Sequence, residues 1–386
     1  MKLVFSPGYK LLVLGALYTL LICGIIPFAP NQGCSPDSYA YLESALALSN
    51  GEGYQWHGSW NALWPLGYSA CIACVHLLLP VSLLWASKLV NLLALYVLLY
   101  VLHRTYGDRA YILGFALGYL TKMAVYTWSE TLFIVILVLV CLQLYRHWRY
   151  ESAHSFYFLG LSYAAFLVRY IGGFVGVSLA IAAVYFQYTQ SYRRAQWSLR
   201  MFGTLAVSYG LYFGINLWQA SSLWGGARFV ETEPLPALLG GIAQGWFNEF
   251  VLLRDAPVED TLLWIALGIQ VVLLTYLFKI YSWKDVSLSL SRPSLYLYAG
   301  GLYGLIITTL RLISPFDSLN YRLLAPATLL GCLAALDWLS SPLRAKQWAK
   351  VKRPVLVFFI MIPLTNLLPK ELFKLRTLFQ LIIPNL

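Results

Sequence analysis

The sequence predicts an all-α, polytopic membrane protein, and three observations carry that prediction. The chain has 386 residues, of which 60% are hydrophobic and only 11% charged; a water-soluble fold cannot hide that much apolar surface. Apolar runs near the ~20 residues needed to cross a bilayer recur along its length. The basic residues between those runs fall in short clusters. The net charge of +11 therefore reads as membrane topology and not as a nucleic-acid surface.

About eleven transmembrane helices are expected, near 11–29, 83–102, 110–127, 129–145, 154–168, 170–187, 199–219, 261–280, 294–312, 323–340 and 354–369. The first lacks a small-residue cleavage site and is read as a retained helix. With the N-terminus in the cytoplasm and the runs alternating, the inner connections hold 17 of the 27 Lys and Arg residues. Of the 16 acids they hold only Asp108, Glu151, Asp285 and Asp337. That is a strong positive-inside bias. Segment 64–80 is left out of the alternation, because if it crossed, the basic cluster RAKQWAKVKR would lie outside. It is expected at the outer interface, where Trp60, Trp64 and Trp85 suit the depth. The chain 1–386 is thus expected as a single transmembrane domain. Its two large extracytoplasmic loops are 30–82 and 220–260, and there is no separate soluble domain. Cys71 and Cys74 form a C-x-x-C inside an apolar stretch with no second pair, a pattern that fits buried small residues better than a metal or redox site.

The first outer loop opens with CSPDSYAYLESALALSNGEGY. Ser35 is a helix cap, Pro36 sits at the first helical position, and a helix over 36–49 ends before Gly51 and Gly53. Tyr39, Leu42 and Leu46 share an apolar face that suits a bilayer surface. Asp37, Tyr41 and Ser44 share another face. Glu43 and Glu52 read as surface acids, and His57 has no partner at metal-ligand spacing.

Charges near the hydrocarbon are costly and mark function. The topology delivers several to one level, the outer ends of the helices. They are Asp37, Lys122, Glu130 in YTWSETLF, Arg169 in FLVRYIGG, and Arg311, Asp317 and Arg322 in LRLISPFDSLNYRLLAP. Plainer roles are open to each: snorkelling for Arg169 and Lys122, helix-start stabilisation for Glu130 and Asp37, a turn cap for Asp317. In the 220–260 loop the Gly and Pro content predicts irregular backbone with short interfacial helices. Arg228 is a candidate phosphate or acceptor contact there. Trp224, Trp246 and Phe247 suit either a sugar ring or the membrane interface.

Together these segments resemble a family. PDSYAYLESALALSNGEGY followed by WPLGYSA is similar to the first-loop signature of GT-C membrane glycosyltransferases, in particular the protein O-mannosyltransferase and lipid A aminoarabinose transferase group (glycosyltransferase family 39-like). WSETLF, RYIGG and NYRLLAPATLLGCLAAL resemble the acidic start, basic turn and Arg-Tyr segment of that group, in the same order. Trp64-Pro65 stands where the family has Pro-Pro, Gly67-Tyr68-Ser69 where it has Gly-Tyr-Pro, and Asp37 alone where it has an Asp-Glu pair. The large soluble C-terminal domain of the bigger members has no counterpart.

The resemblance implies a GT-C helical bundle with juxtamembrane helices in the first outer loop. It implies a sugar donor on a polyprenyl phosphate and a hydroxyl acceptor on a lipid, glycan or protein outside the cytoplasm. Asp37 would be the general base, and Glu130 would orient the acceptor or position Asp37 or a metal. Arg169 and Arg322, with Lys122 or Arg311, would hold the donor phosphate. Tyr41, Tyr68 and Arg228 would contact acceptor or sugar. The reaction would invert the anomeric carbon. No cofactor is required, since cations already face the leaving group, although a divalent metal is compatible. A bacterial inner membrane is the expected location. The competing classes are a transporter or lipid flippase, which predicts mid-span charges or paired halves, and a non-catalytic scaffold of envelope assembly.

Overall fold

The computed structural model describes residues 7–151, 155–225, 233–253, 256–258, 260–281, 290–314 and 316–367. They are almost wholly helical: α1 (Pro7–Ile25), α2 (Pro36–Ser49), α3 (Leu66–Leu78), α4 (Leu83–Tyr106), α5 (Ala110–Gly114), α6 (Thr121–Val125), α7 (Glu130–Tyr150), α8 (Ser155–Val168), α9 (Phe174–Tyr188), α10 (Tyr192–Ala220), α11 (Leu235–Val251), α12 (Thr261–Ile280), α13 (Arg292–Ile313), α14 (Tyr321–Leu339) and α15 (Ala345–Leu367). Among the described residues the one departure is a two-stranded hairpin, Gln55–Trp56 against Ser59–Trp60, turning at His57 and Gly58. It is tied to α2 because the Glu43 carboxylate accepts from the His57 backbone N–H at 2.7 Å.

Seven helical stretches among the described residues are long and apolar enough to cross a membrane, so the chain is an all-α membrane protein. One of them, Leu83–Val125, runs for 43 residues yet folds back on itself. The backbone turns at Gly107, and the Asn91 side chain near the start of α4 donates to the Tyr126 carbonyl at 2.9 Å, just past α6. Its second leg is not the uniform helix that the 110–127 run suggests. Residues 115–120 between α5 and α6 are 3₁₀. The Tyr18 hydroxyl donates to the Gly114 carbonyl at 2.9 Å. That carbonyl is diverted from the α-helical ladder, and a tightened turn results.

α3, with 13 residues, and α8, with 14, are apolar but shorter than these seven stretches. α3 packs against α2, α4 and α8. In the 220–260 loop the structure has the 17-residue α11, longer than the short helices expected, packed on α14.

The core lies along α7 and α14, the two most buried of the seven stretches. A second apolar cluster joins α2, α3 and the start of α4 through Tyr41, Trp64, Tyr68 and Val90. Both clusters converge where α7 and α14 begin.

Candidate functional site

Four charged side chains reach one point from four parts of the chain, each delivered by the end of an element. Asp37 is the second residue of α2, whose start is fixed when the Ser35 backbone N–H donates to the Ser38 hydroxyl at 2.9 Å. Glu130 opens α7, where the helix dipole favours an acid. Arg322 is the second residue of α14, capped by Asn320, whose side-chain oxygen accepts from the Arg322 N–H at 3.0 Å. A cation there opposes the dipole by about 0.3–1 kcal/mol, so a compensating acid is needed. Arg169 lies in extended backbone between α8 and the 3₁₀ turn 170–173. Gly172 closes that turn through an N–H bond to the Arg169 carbonyl at 2.7 Å. A Cβ at Gly172 would meet the Ala165 backbone at 2.4 Å, so no larger residue permits this aim for Arg169.

The four residues form one chain of ion pairs. Arg322 Nη2 donates to Asp37 Oδ2 at 2.5 Å, and Arg322 Nε donates to Glu130 Oε1. Arg169 Nη1 donates to the same Glu130 oxygen. Two acids thus balance two guanidiniums, and Glu130 is the bridge, fully buried beneath the others. Among the described residues its second oxygen, Oε2, is buried with no hydrogen-bond partner. Burial works against the charge on Arg169, but the Glu130 carboxylate outweighs it and holds the guanidinium above its ordinary range.

The Tyr41 hydroxyl hydrogen-bonds to Ser129 at 3.1 Å. Burial and then the Glu130 carboxylate push this phenol above its usual range, so it stays neutral. Arg322 also lies 4.7 Å over the Trp128 ring, whose indole N–H donates to Ser35 at 2.8 Å.

A cavity of about 440 Å³ opens onto this cluster. Asp37, Tyr41, Arg169 and Arg322 line its polar end; Phe174 and Val177 of α9 and Ile306 and Leu310 of α13 line the rest. Val177 and Leu310 are exposed, so the apolar wall is open and not sealed in the core. An arginine has five donors. Arg169 Nη1 also reaches the Ser129 hydroxyl at 3.5 Å, and among the described residues Nε and Nη2 of Arg169 and Nη1 of Arg322 make no hydrogen bond. Asp37 keeps Oδ1 outside its bond to Arg322. The site therefore offers free cationic donors and a carboxylate oxygen at the mouth of an apolar slot.

The other expected residues lie elsewhere. Lys122 stacks over the Tyr321 ring at 4.7 Å, one residue from Arg322 but outside the ion-pair chain. Arg311 is paired with Glu233 at 2.8 Å and packs on Phe316. Tyr68 is fully buried behind Tyr41, edge-on at 5.1 Å, and its hydroxyl donates to Asn91 at 3.3 Å; its expected place at the substrate is not what the packing gives it. Arg228 lies outside the described residues. Asp317 is exposed. Trp246 donates to Thr308 at 3.0 Å and is an inter-helix contact.

Two buried charges escaped the sequence reading. Lys88, fully buried in the second turn of α4, donates to the Gly33 carbonyl at 3.2 Å and the Thr127 hydroxyl at 2.9 Å. It ties the segment before Asp37 to the segment before Glu130. Glu249, at the end of α11, accepts from Tyr119 and Thr328. A Lys inside an apolar run was a visible signal for the first; the second had none beyond an acid at the end of an apolar stretch. Among the described residues no group of three His, Cys, Asp or Glu side chains is arranged to hold a metal.

Comparison with protein-family models, with curated proteins and with solved structures finds no match for this chain.

Proposed function

We propose that this protein is a GT-C-type membrane glycosyltransferase of about eleven passes, which moves a sugar from a polyprenyl phosphate to a hydroxyl on a lipid, glycan or protein. One observation carries the reading: two arginines with unused donors and one carboxylate meet at the polar end of a cavity whose other walls are apolar. That combination suits an amphiphile with an anionic head and a hydrocarbon tail. Arginine suits phosphate because its planar fork can bind two oxygens at once.

In this reading the polyprenyl phosphate lies with its head on Arg169 and Arg322 and its chain between α9 and α13. Asp37 accepts the proton of the acceptor hydroxyl as that oxygen bonds to the anomeric carbon. The bond from that carbon to the phosphate oxygen breaks, and the lipid phosphate leaves with the bonding electrons. The configuration inverts. Arg322 links the two events. When it turns toward the developing phosphate charge, Asp37 loses a counter-ion and becomes a better base. Glu130 keeps both guanidiniums in place, and Tyr41 remains a neutral hydroxyl beside them. By the charge bias of the connections, the site faces away from the cytoplasm, in a bacterial inner membrane.

The test is donor turnover. The full chain in lipid nanodiscs is given a panel of polyprenyl-phosphate sugars with envelope lipid and glycan as acceptors, and free polyprenyl phosphate is measured. Release that depends on acceptor supports a transferase. No release with any donor, under conditions where the protein remains folded, counts against it.

A further inference from the structure

We propose a second anion site, for a phosphate-type group, at the opposite end of the helices from the Asp37–Arg322 pair. Arg104 and Thr105 end α4, Tyr145 and Arg146 lie near the end of α7, and Arg292 begins α13. These five side chains and Tyr150 line one cavity of about 240 Å³, ample for a phosphate and the start of the group that carries it.

Among the described residues no carboxylate pairs with Arg104, Arg146 or Arg292. Two acids at this end are engaged elsewhere, Asp337 with Arg109 at 2.7 Å and the Tyr106 hydroxyl at 3.1 Å and Glu151 with Arg193 at 3.8 Å, while Asp108, exposed four residues past Arg104, makes no ion pair among the described residues. Helix ends explain part of the arrangement, because a cation suits the C-terminal ends of α4 and α7. That account fails for Arg292, a cation at a helix N-terminus, where the dipole opposes it. A general bias of basic residues to one membrane face also does not require three of them to share one cavity.

Arg292 is held in place by aromatic packing, with its guanidinium 4.7 Å from the Tyr106 ring and 5.2 Å from the Tyr145 ring. Packing of its flat face leaves the N–H edge for a ligand. Among the described residues the Thr105 hydroxyl is buried there without a hydrogen-bond partner, and it can donate to an acceptor. Three like charges lining one cavity favour an anion there, an effect that water weakens at the exposed Arg104 and Arg146. The matching ligand chemistry is a phosphate monoester or diester, either a lipid headgroup or a soluble phosphate.

The test uses the full chain in nanodiscs of zwitterionic phosphatidylcholine. In one arm inorganic phosphate or pyrophosphate is titrated; in the other, phosphatidylglycerol replaces part of the lipid. Thermal unfolding and ligand affinity are read for the wild type, Arg146→Gln/Arg292→Gln, and a charge-matched control, Lys346→Gln/Lys350→Gln. The wild type and control are expected to be stabilised alike. The double variant is expected to bind at least about tenfold more weakly, as loss of charge-assisted bonds implies. Arg146 is exposed, so Arg146→Gln alone carries the test if the double variant does not fold. A response only to phosphatidylglycerol assigns a membrane headgroup, and a response to free phosphate assigns a soluble ligand. No response in either arm, or an equal response by the cavity variants, overturns the proposal.

Discussion

Asp37 and Arg322 are separated by 285 residues in the chain and meet at 2.5 Å. The pair ties the start of α2 to the start of α14, and both partners are less than a quarter exposed. Removing one partner of a buried pair costs more than the pair is worth, because the other charge is stranded. Arg322→Gln is expected to destabilise the protein by about 3–5 kcal/mol, since it strips a counter-ion from both Asp37 and Glu130. Asp37→Asn costs less. In a double-mutant cycle read by thermal unfolding, the two changes should couple by about 1–3 kcal/mol. Strict additivity would show that the contact does not persist in the membrane.

Glu130 joins both arginines and is the most buried of the four. Glu130→Gln keeps the shape and removes the charge that balances two guanidiniums. It should be more destabilising than Asp37→Asn, by at least about 1 kcal/mol, and donor binding should weaken as Arg169 and Arg322 move apart. Equal unfolding temperatures for the two variants would contradict the bridging role.

Hydropathy and the positive-inside bias gather Asp37, Lys122, Glu130, Arg169, Arg311, Asp317 and Arg322 at one expected level but leave their rotation about the helix axes open. Four of the seven meet at one point. Arg311 turns to Glu233 and Lys122 to Tyr321, because a single sequence does not say which side of a helix meets which neighbour. The helix over 36–49 was readable from Ser35 and Pro36, both local signals. The fold-back of Leu83–Val125 and the partners of Lys88 depend on contacts tens of residues apart, which no local pattern encodes.

Lys88 and Gly33 hold the approach to Asp37. Gly33 has φ +74°, and a Cβ there would lie 2.4 Å from the Val125 carbonyl oxygen and 3.0 Å from Lys88 Nζ. Gly33→Ala must therefore shift backbone. Lys88→Met keeps the volume but leaves the Gly33 carbonyl and Thr127 without their donor, a loss of about 1–3 kcal/mol. Both variants should lower the unfolding temperature, Gly33→Ala the more, and both should reduce donor turnover although neither residue lines the cavity. Full turnover in Gly33→Ala would show that this segment does not position Asp37.

Arg169 and Arg311 offer a matched comparison, since both are charged side chains at the same level. Arg169→Gln should weaken binding of a polyprenyl phosphate by about tenfold or more. Arg311→Gln removes the same charge beside Glu233 and should leave binding within about twofold, a change of ~0.4 kcal/mol. Binding in nanodiscs at several salt concentrations checks this. Equal losses would mean that the phosphate senses only the overall field.

The most direct measurement compares the wild type with Asp37→Asn for donor affinity and for turnover in the same nanodiscs. The account predicts that polyprenyl-phosphate sugar still binds, because Arg169 and Arg322 remain. Release of lipid phosphate should fall by about 10²–10⁴-fold, the contribution of a general base. Turnover of Asp37→Asn equal to the wild type, with the donor bound, would remove Asp37 from the chemistry and contradict the account.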